Sequence, residues 1–256
     1  MKVQDSAKEE SLISDISRFA NSQNAVRQSD LSANKPFHVD VERLSLSVYC
    51  PEGTGRWFYE RTAGSYNTLL AREGTTPAKL RTLKEAIPPT RKITKTDLAK
   101  YLMAWDGLPD IVSLGSQKCF DRFMSSMTVP EGEPQPISLD VVTYKAMVAR
   151  AIVFKATQKL VRPMFQAFQA NVTTYTVSLL SKRFSNRFDL DRVWARQCDS
   201  RELLSQIGTW AREVNDVLHR TAGGRMVSEW AKRPECREAV LGASYSEPTG
   251  GIPEVR

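Results

Sequence analysis

Chemically capable side chains gather first in Arg56-Trp-Phe-Tyr-Glu-Arg-Thr-Ala-Gly-Ser-Tyr66, where three aromatics run into an adjacent acid and base, Glu60 and Arg61. Successive bulky aromatics suit a pleated, half-buried surface, so residues 56–61 read as a strand or extended segment. Alternation then puts Trp57, Tyr59 and Arg61 on one face and Phe58 and Glu60 on the other. A carboxylate beside Phe58 needs a buried partner or a wet cleft, because an unpaired buried charge is costly. Two readings follow for Glu60: a structural ion pair tying the strand to a helix, or a catalytic carboxylate. The second draws on Asp40, Glu42, Glu60, Lys95 and Lys118 as residues that could assemble a site, with Glu60, Lys95 and Lys118 as the catalytic candidates.

Known catalytic patterns do not complete such a site. A metal-dependent nuclease of the restriction type needs an acid followed by Glu-x-Lys, so that carboxylates hold Mg²⁺ and the lysine supports the attacking water. No Glu-x-Lys occurs; Glu235-Cys-Arg237 and Glu254-Val-Arg256 come nearest. The two histidines, His38 and His219, are too few for a zinc or His-based cluster within the chain. Neither a phosphate-loop signature nor a Gly-x-Ser-x-Gly elbow is present, and Gly53 with Gly55 makes at most a small anion nest. Neither a cofactor nor a metal is expected.

The charge pattern is more informative. The net charge is +7, and the whole surplus lies in residues 141–185, which hold Lys145, Arg150, Lys155, Lys159, Arg162, Lys182 and Arg183 and no acid. Residues 75–105 form a second basic stretch, with Lys79, Arg81, Lys84, Arg91, Lys92, Lys95 and Lys100 against Glu85 and Asp97. Clustered cations attract phosphate regardless of sequence, so Lys145, Lys155, Lys159, Arg162, Lys92 and Lys95 are the nucleic-acid-binding candidates. The competing reading is a buried helix whose few polar positions happen to be basic. At 100° per residue, Lys145, Lys155, Lys159 and Arg162 share an arc of about 100°.

The elements that must position these residues are mostly helical. Residues 7–21 form an amphipathic helix ended by Asn21-Ser-Gln-Asn24, four side chains that either bond the local backbone or present amides to a base edge. Pro36 opens a helix through about residue 49, although its apolar positions fit a strand nearly as well. Residues 93–97 read as a short extended piece with an N-cap at Thr94 or Thr96, ahead of a helix to Trp105. Pro130, Gly132, Pro134 and Pro136 mark a linker at 128–138, dividing a mixed helical half, 1–127, from a helical half, 139–242. The 141–160 helix is apolar nearly all round and should be central. Residues 243–256, with two prolines and two glycines, should be a disordered tail. The expected fold is therefore mainly α, with a small β element around 56–61. Composition is that of a globular protein, 41% hydrophobic and 25% charged, with no apolar run of membrane-spanning length and no signal core. A cytoplasmic location with no membrane partner is expected. Cys50, Cys119, Cys198 and Cys236 lack any C-x-x-C pair and read as buried free thiols.

Six motifs, in order, resemble the abortive infection phage resistance family, AIPR: Asn21-Ser-Gln-Asn24 with Asp30 and Leu31; Trp57-Phe-Tyr-Glu-Arg61 with Gly64 and Tyr66; Ile93-Thr-Lys-Thr-Asp-Leu-Ala-Lys100; Ser113-Leu-Gly-Ser-Gln-Lys118 with Phe120; Asn171 with Tyr175; and Glu229-Trp-Ala-Lys232 with Cys236. Among these, Asn21, Gln23, Asn24, Tyr59, Glu60 and Arg61 are the motif residues most able to recognise or position a ligand. Members of that family are antiviral proteins of bacteria, some beside restriction or modification genes, and the resemblance implies DNA binding or action on phage nucleic acid; it supplies no catalytic residues. This chain resembles the carboxy-terminal half of such a protein, which makes an upstream or amino-terminal half of the same system an expected partner. The reading is a nucleic-acid-associated or partner-binding module of phage defence. The alternatives are a metal-dependent nuclease fragment and a helical scaffold that completes a missing amino-terminal domain.

Overall fold

A computed structural model describes residues 35–127 and 139–256. Pro36, whose fixed φ suits a first-turn position, opens helix α1 (Pro36–Ser47). Val41 and Leu44, one turn apart, are buried, while Val39 and Leu46 are exposed, which is helical rather than strand spacing. Strand β1 (Phe58–Glu60) is followed by helices α2 (Ser65–Glu73) and α3 (Pro77–Ala86) and by strand β2 (Lys92–Thr94). β1 and β2 pair in parallel with Tyr59 opposite Ile93, an arrangement that the two-helix crossover makes possible. Helix α4 (Lys95–Trp105) begins directly from β2 because Thr94 caps it: the hydroxyl accepts from the Asp97 amide at 3.1 Å and donates to the Asp97 carboxylate at 2.8 Å.

Helices α5 (Pro109–Ser113) and α6 (Ser116–Ser126) complete the first described segment. The second carries α7 (Val141–Val161), α8 (Gln169–Phe184), α9 (Leu190–Arg196), α10 (Arg201–Ala222), α11 (Val227–Trp230) and α12 (Pro234–Leu241). The protein is mainly α, with one two-stranded parallel sheet among the described residues. Asp140 caps α7 by accepting from the Thr143 amide at 2.7 Å. α7 is central, packing against α4, α8, α9 and α10 and burying Tyr144, Met147, Val148, Ile152, Val153 and Phe154.

One core cluster runs from Val41 to Ile252, so the segments on either side of 128–138 share an interior. A smaller cluster of Phe58, Tyr66, Leu69 and Ile87 lies under the crossover. The first expected helix, the Asn21 to Asn24 loop and the 128–138 linker lie outside the described residues. Residues 243–256 depart from the expected disordered tail. Tyr245 and Ile252 are buried in the core, Val255 pairs with Phe188 in an antiparallel bridge, and Glu254 is fully buried. Its carboxylate accepts from the Ser200 amide at 2.8 Å and the Ser200 hydroxyl at 2.6 Å. The prolines and glycines here shape a bound extended segment, since enough apolar side chains stand between them to dock it.

All four cysteines are free; Cys198 is exposed and the other three are buried. Among the described residues no helix is long and apolar enough to cross a membrane, and no group of His, Cys, Asp and Glu could hold a metal ion.

Candidate functional site

Strand alternation builds the site. Trp57 and Tyr59 join the main core, while Phe58 joins the smaller cluster and carries Glu60 to the same side. Glu60 is buried there with two partners: the Lys92 ammonium at 2.9 Å and the Tyr66 amide, in the first turn of α2, at 3.4 Å. The parallel register sets Lys92 against Phe58, diagonal to Glu60, and the lysine also lies 5.8 Å from the centre of the Tyr66 ring. The Glu60 carboxylate thus joins two strands and a helix. Replacing it with glutamine should cost about 2 kcal/mol, since a buried pair loses its charge while Lys92 keeps partial hydration. Urea unfolding checks this, and an unchanged midpoint would remove the structural role.

On the opposite face, Tyr59 meets His38 of α1, with its hydroxyl 2.6 Å from Nδ1. The other ring nitrogen, Nε2, lies 3.2 Å from the Met124 sulfur, which only accepts. Nε2 therefore carries the proton, Nδ1 accepts, and Tyr59 donates. The imidazole is stacked between Tyr59 and Phe120, with ring centres 6.0 and 5.7 Å away. Burial, followed by the positive charges of Lys95, Lys35 and Arg61, pushes His38 down to about 4. Burial, then the Glu42 charge, holds the Tyr59 phenol well above its ordinary range. Both groups are neutral near pH 7. Arg61 extends past the end of β1 and meets Glu42 of α1 at 2.7 Å, with both side chains part-buried. Lys95 is buried near His38 at the start of α4.

The basic candidates divide by partner. Lys155 is half-buried and its ammonium donates to the carbonyls of Thr90 and Lys92, each at 2.7 Å, over the Trp57 ring at 5.4 Å. Burial lowers its pKa. Lys145 lies over Trp194 at 5.7 Å. Arg91 pairs with Glu52 at 2.7 Å and Lys100 with Asp97 at 3.1 Å. Lys182 donates to the Leu241 carbonyl at 2.8 Å, and Arg183 to that of Tyr245 at 3.0 Å. Lys159 and Arg162, at the end of α7, are exposed and have no ion pair among the described residues, and the same holds for Lys79, Arg81 and Lys84 on α3. The structure therefore keeps Lys159 and Arg162 on the surface and gives Lys92, Lys95, Lys145 and Lys155 positions inside the fold or against it. Lys118 is exposed on α6, whereas the Glu60 oxygens face Lys92 and Tyr66. Asn21, Gln23 and Asn24 lie outside the described residues.

Residues that sequence reasoning passed over include His38, counted only as one of two histidines, and Arg150, counted only as charge. Their signals, the burial of His38 against Tyr59 and Met124 and the buried, unbonded Nε of Arg150, are properties of neighbours distant in sequence. Several quoted motif residues also meet in space. Asn171 donates to the Ser113 hydroxyl at 3.1 Å, and the buried Tyr175 hydroxyl donates to the carbonyl of Ala231, inside Glu229-Trp-Ala-Lys232, at 2.9 Å. These spots join α5, α8 and the turn after α11, as Glu60 and Lys92 join the strands.

No curated protein and no solved structure matches the chain. A family profile, described as AIPR protein, matches residues 1–222, a span containing five of the six motifs in full. With that span covering most of its 256 residues, the chain belongs to the AIPR family, which is associated with abortive infection and phage resistance.

Proposed function

We propose that this AIPR protein serves phage resistance as a nucleic-acid-binding module that contacts phosphate through exposed cations at the end of α7 and on α3. The reading is supported by one observation above others: Lys155 fastens the carbonyls of Thr90 and Lys92 to α7. That clamp fixes the backbone of the 75–105 stretch to the middle of α7 in the 141–185 stretch, one turn before Lys159. The clamping lysine is itself occupied. The exposed cations beyond it are not, and together they can neutralise several phosphates without reading base identity.

Fluorescence anisotropy with a labelled duplex and a labelled single strand of arbitrary sequence tests this. The double variant Lys159→Glu with Arg162→Glu should weaken binding by roughly tenfold or more at low salt, because two attractive contacts become repulsive. Arg72→Gln, which removes a cation already engaged by Glu73, should change little. Equal affinities for the double variant and the unmodified chain would refute the proposed surface.

A further inference from the structure

A cleft of about 750 Å³ opens where the end of α4 meets α7, α8 and α12. Its walls carry three cations, Arg150, Lys182 and Arg237, and two acids, Asp106 and Glu238. Arg150 stands out among them. It lies over the Trp105 ring at 5.9 Å, makes no hydrogen bond among the described residues, and its Nε is buried without a partner. A guanidinium is a planar fork of five donors matched to two oxygens of one anion, and a donor left unbonded away from water, as Nε is here, is costly. Its charged neighbour is Asp106, whose carboxyl is pushed up by burial and drawn back down by Arg150. The other cations are only partly used. Lys182 gives one donor to the Leu241 carbonyl, and Arg237 gives one to Asp110 at 3.3 Å.

We propose that this cleft binds a small phosphorylated ligand of mononucleotide size, with Arg150 taking two phosphoryl oxygens and Lys182 and Arg237 supplying further positive charge. Phosphate fits better than a single carboxylate because it offers two oxygens to the Arg150 fork and a third to Lys182. The Ser178 hydroxyl already donates to the Ala104 carbonyl at 2.7 Å, so Ser181 and Ser185 are the lining hydroxyls left for the ligand. The volume leaves room beside the phosphate for a sugar and a base. This site is separate from the Lys159 and Arg162 surface and stands whether or not that surface binds nucleic acid.

The test is calorimetric titration and thermal shift on the full chain, using inorganic phosphate, adenosine 5′-monophosphate, adenosine and acetate. Phosphate and the nucleotide should bind and raise Tm, the nucleotide more, while adenosine and acetate should not. Arg150→Gln should weaken nucleotide binding by roughly tenfold or more, and Ser181→Asp, which adds an anion to the wall, should abolish it. Arg72→Gln, outside the cleft lining, should leave it unchanged. Failure of the unmodified chain to bind either phosphate compound, binding of adenosine or acetate as tight as the nucleotide, or undiminished binding in Arg150→Gln or Ser181→Asp would overturn the proposal. If Arg150→Gln fails to fold, Ser181→Asp decides the matter alone, because Ser181 is only part-buried on α8.

Discussion

Replacing Trp210 with alanine should cost on the order of 4 kcal/mol, since a fully buried indole leaves a cavity that its neighbours fill only in part. Trp210 packs on Phe184 with ring centres 5.3 Å apart, and its N–H donates to the Ser246 carbonyl at 3.0 Å. The residue thus fills the core of α10 and also holds the closing segment. A second variant separates these roles. Trp210→Phe keeps most of the apolar volume but drops the bond, and should cost about 1–2 kcal/mol, with faster proteolysis within 243–256. Gln206 adds to the anchorage by accepting from the Thr249 amide at 2.9 Å, and Arg256 pairs with Asp189 at 2.7 Å. Rapid cleavage of 243–256 in the unmodified chain would show that the segment does not dock. A Trp210→Ala midpoint equal to that of the unmodified chain would contradict the core.

The second large effect concerns pH. Asp199 is buried, its carboxylate oxygens find no hydrogen-bond donor among the described residues, and burial followed by the Glu254 charge pushes its pKa up to about 7. In the folded protein Asp199 holds its proton to near neutrality, whereas in the unfolded chain it loses it near 3.8. Stability from this group is therefore greatest below pH 3.8 and declines as pH rises through 7. Asp199→Asn removes the decline. Measured against the unmodified chain, the variant should gain on the order of 4 kcal/mol between pH 4 and pH 8. His38 acts in the opposite sense. Held neutral down to about 4 in the fold but free to protonate near 6.5 in the unfolded chain, it contributes stability above 6.5 that is lost as pH falls to 4. The two groups oppose each other across nearly the same window, so Asp199→Asn should expose a loss of stability on acidification that the unmodified chain largely hides. Denaturant midpoints at half-unit pH steps check this. A difference between the two proteins that does not vary with pH would show that Asp199 ionises normally.

Much of the frame was legible in the sequence because it depends on neighbours in the chain. Three consecutive aromatics predict β1 and its two faces, and a threonine cap at 94 or 96 ahead of Asp97 predicts the start of α4, where Thr94 proves to be the cap. The apolar circumference of residues 141–160 predicts a central helix. Less was legible where distant segments decide. The apolar positions of 36–49 fit two periods, and only the packing of Val41 and Leu44 selects the helix. Helix α3 escapes sequence reasoning because it buries no residue fully and offers little periodicity beyond Leu80 and Leu83. The closing segment looked loose because glycine and proline counts say nothing about Trp210, Gln206 or Ser200 waiting to receive it. The charge map shows the limit most clearly. Sequence located every cation, yet only coordinates separate Lys155, spent on two carbonyls, from Lys159 one turn later, which faces solvent.

That separation defines the most direct test. Affinity for a labelled duplex should be measured from about 50 to 200 mM salt for the unmodified chain and for Lys159→Gln with Arg162→Gln. The account predicts that the logarithm of the binding constant falls linearly with the logarithm of salt. The double variant should flatten that slope by about 2, because each of the two cations, by neutralising a phosphate, releases roughly one counterion. Binding that does not respond to salt, or a slope identical in the two proteins, would contradict it.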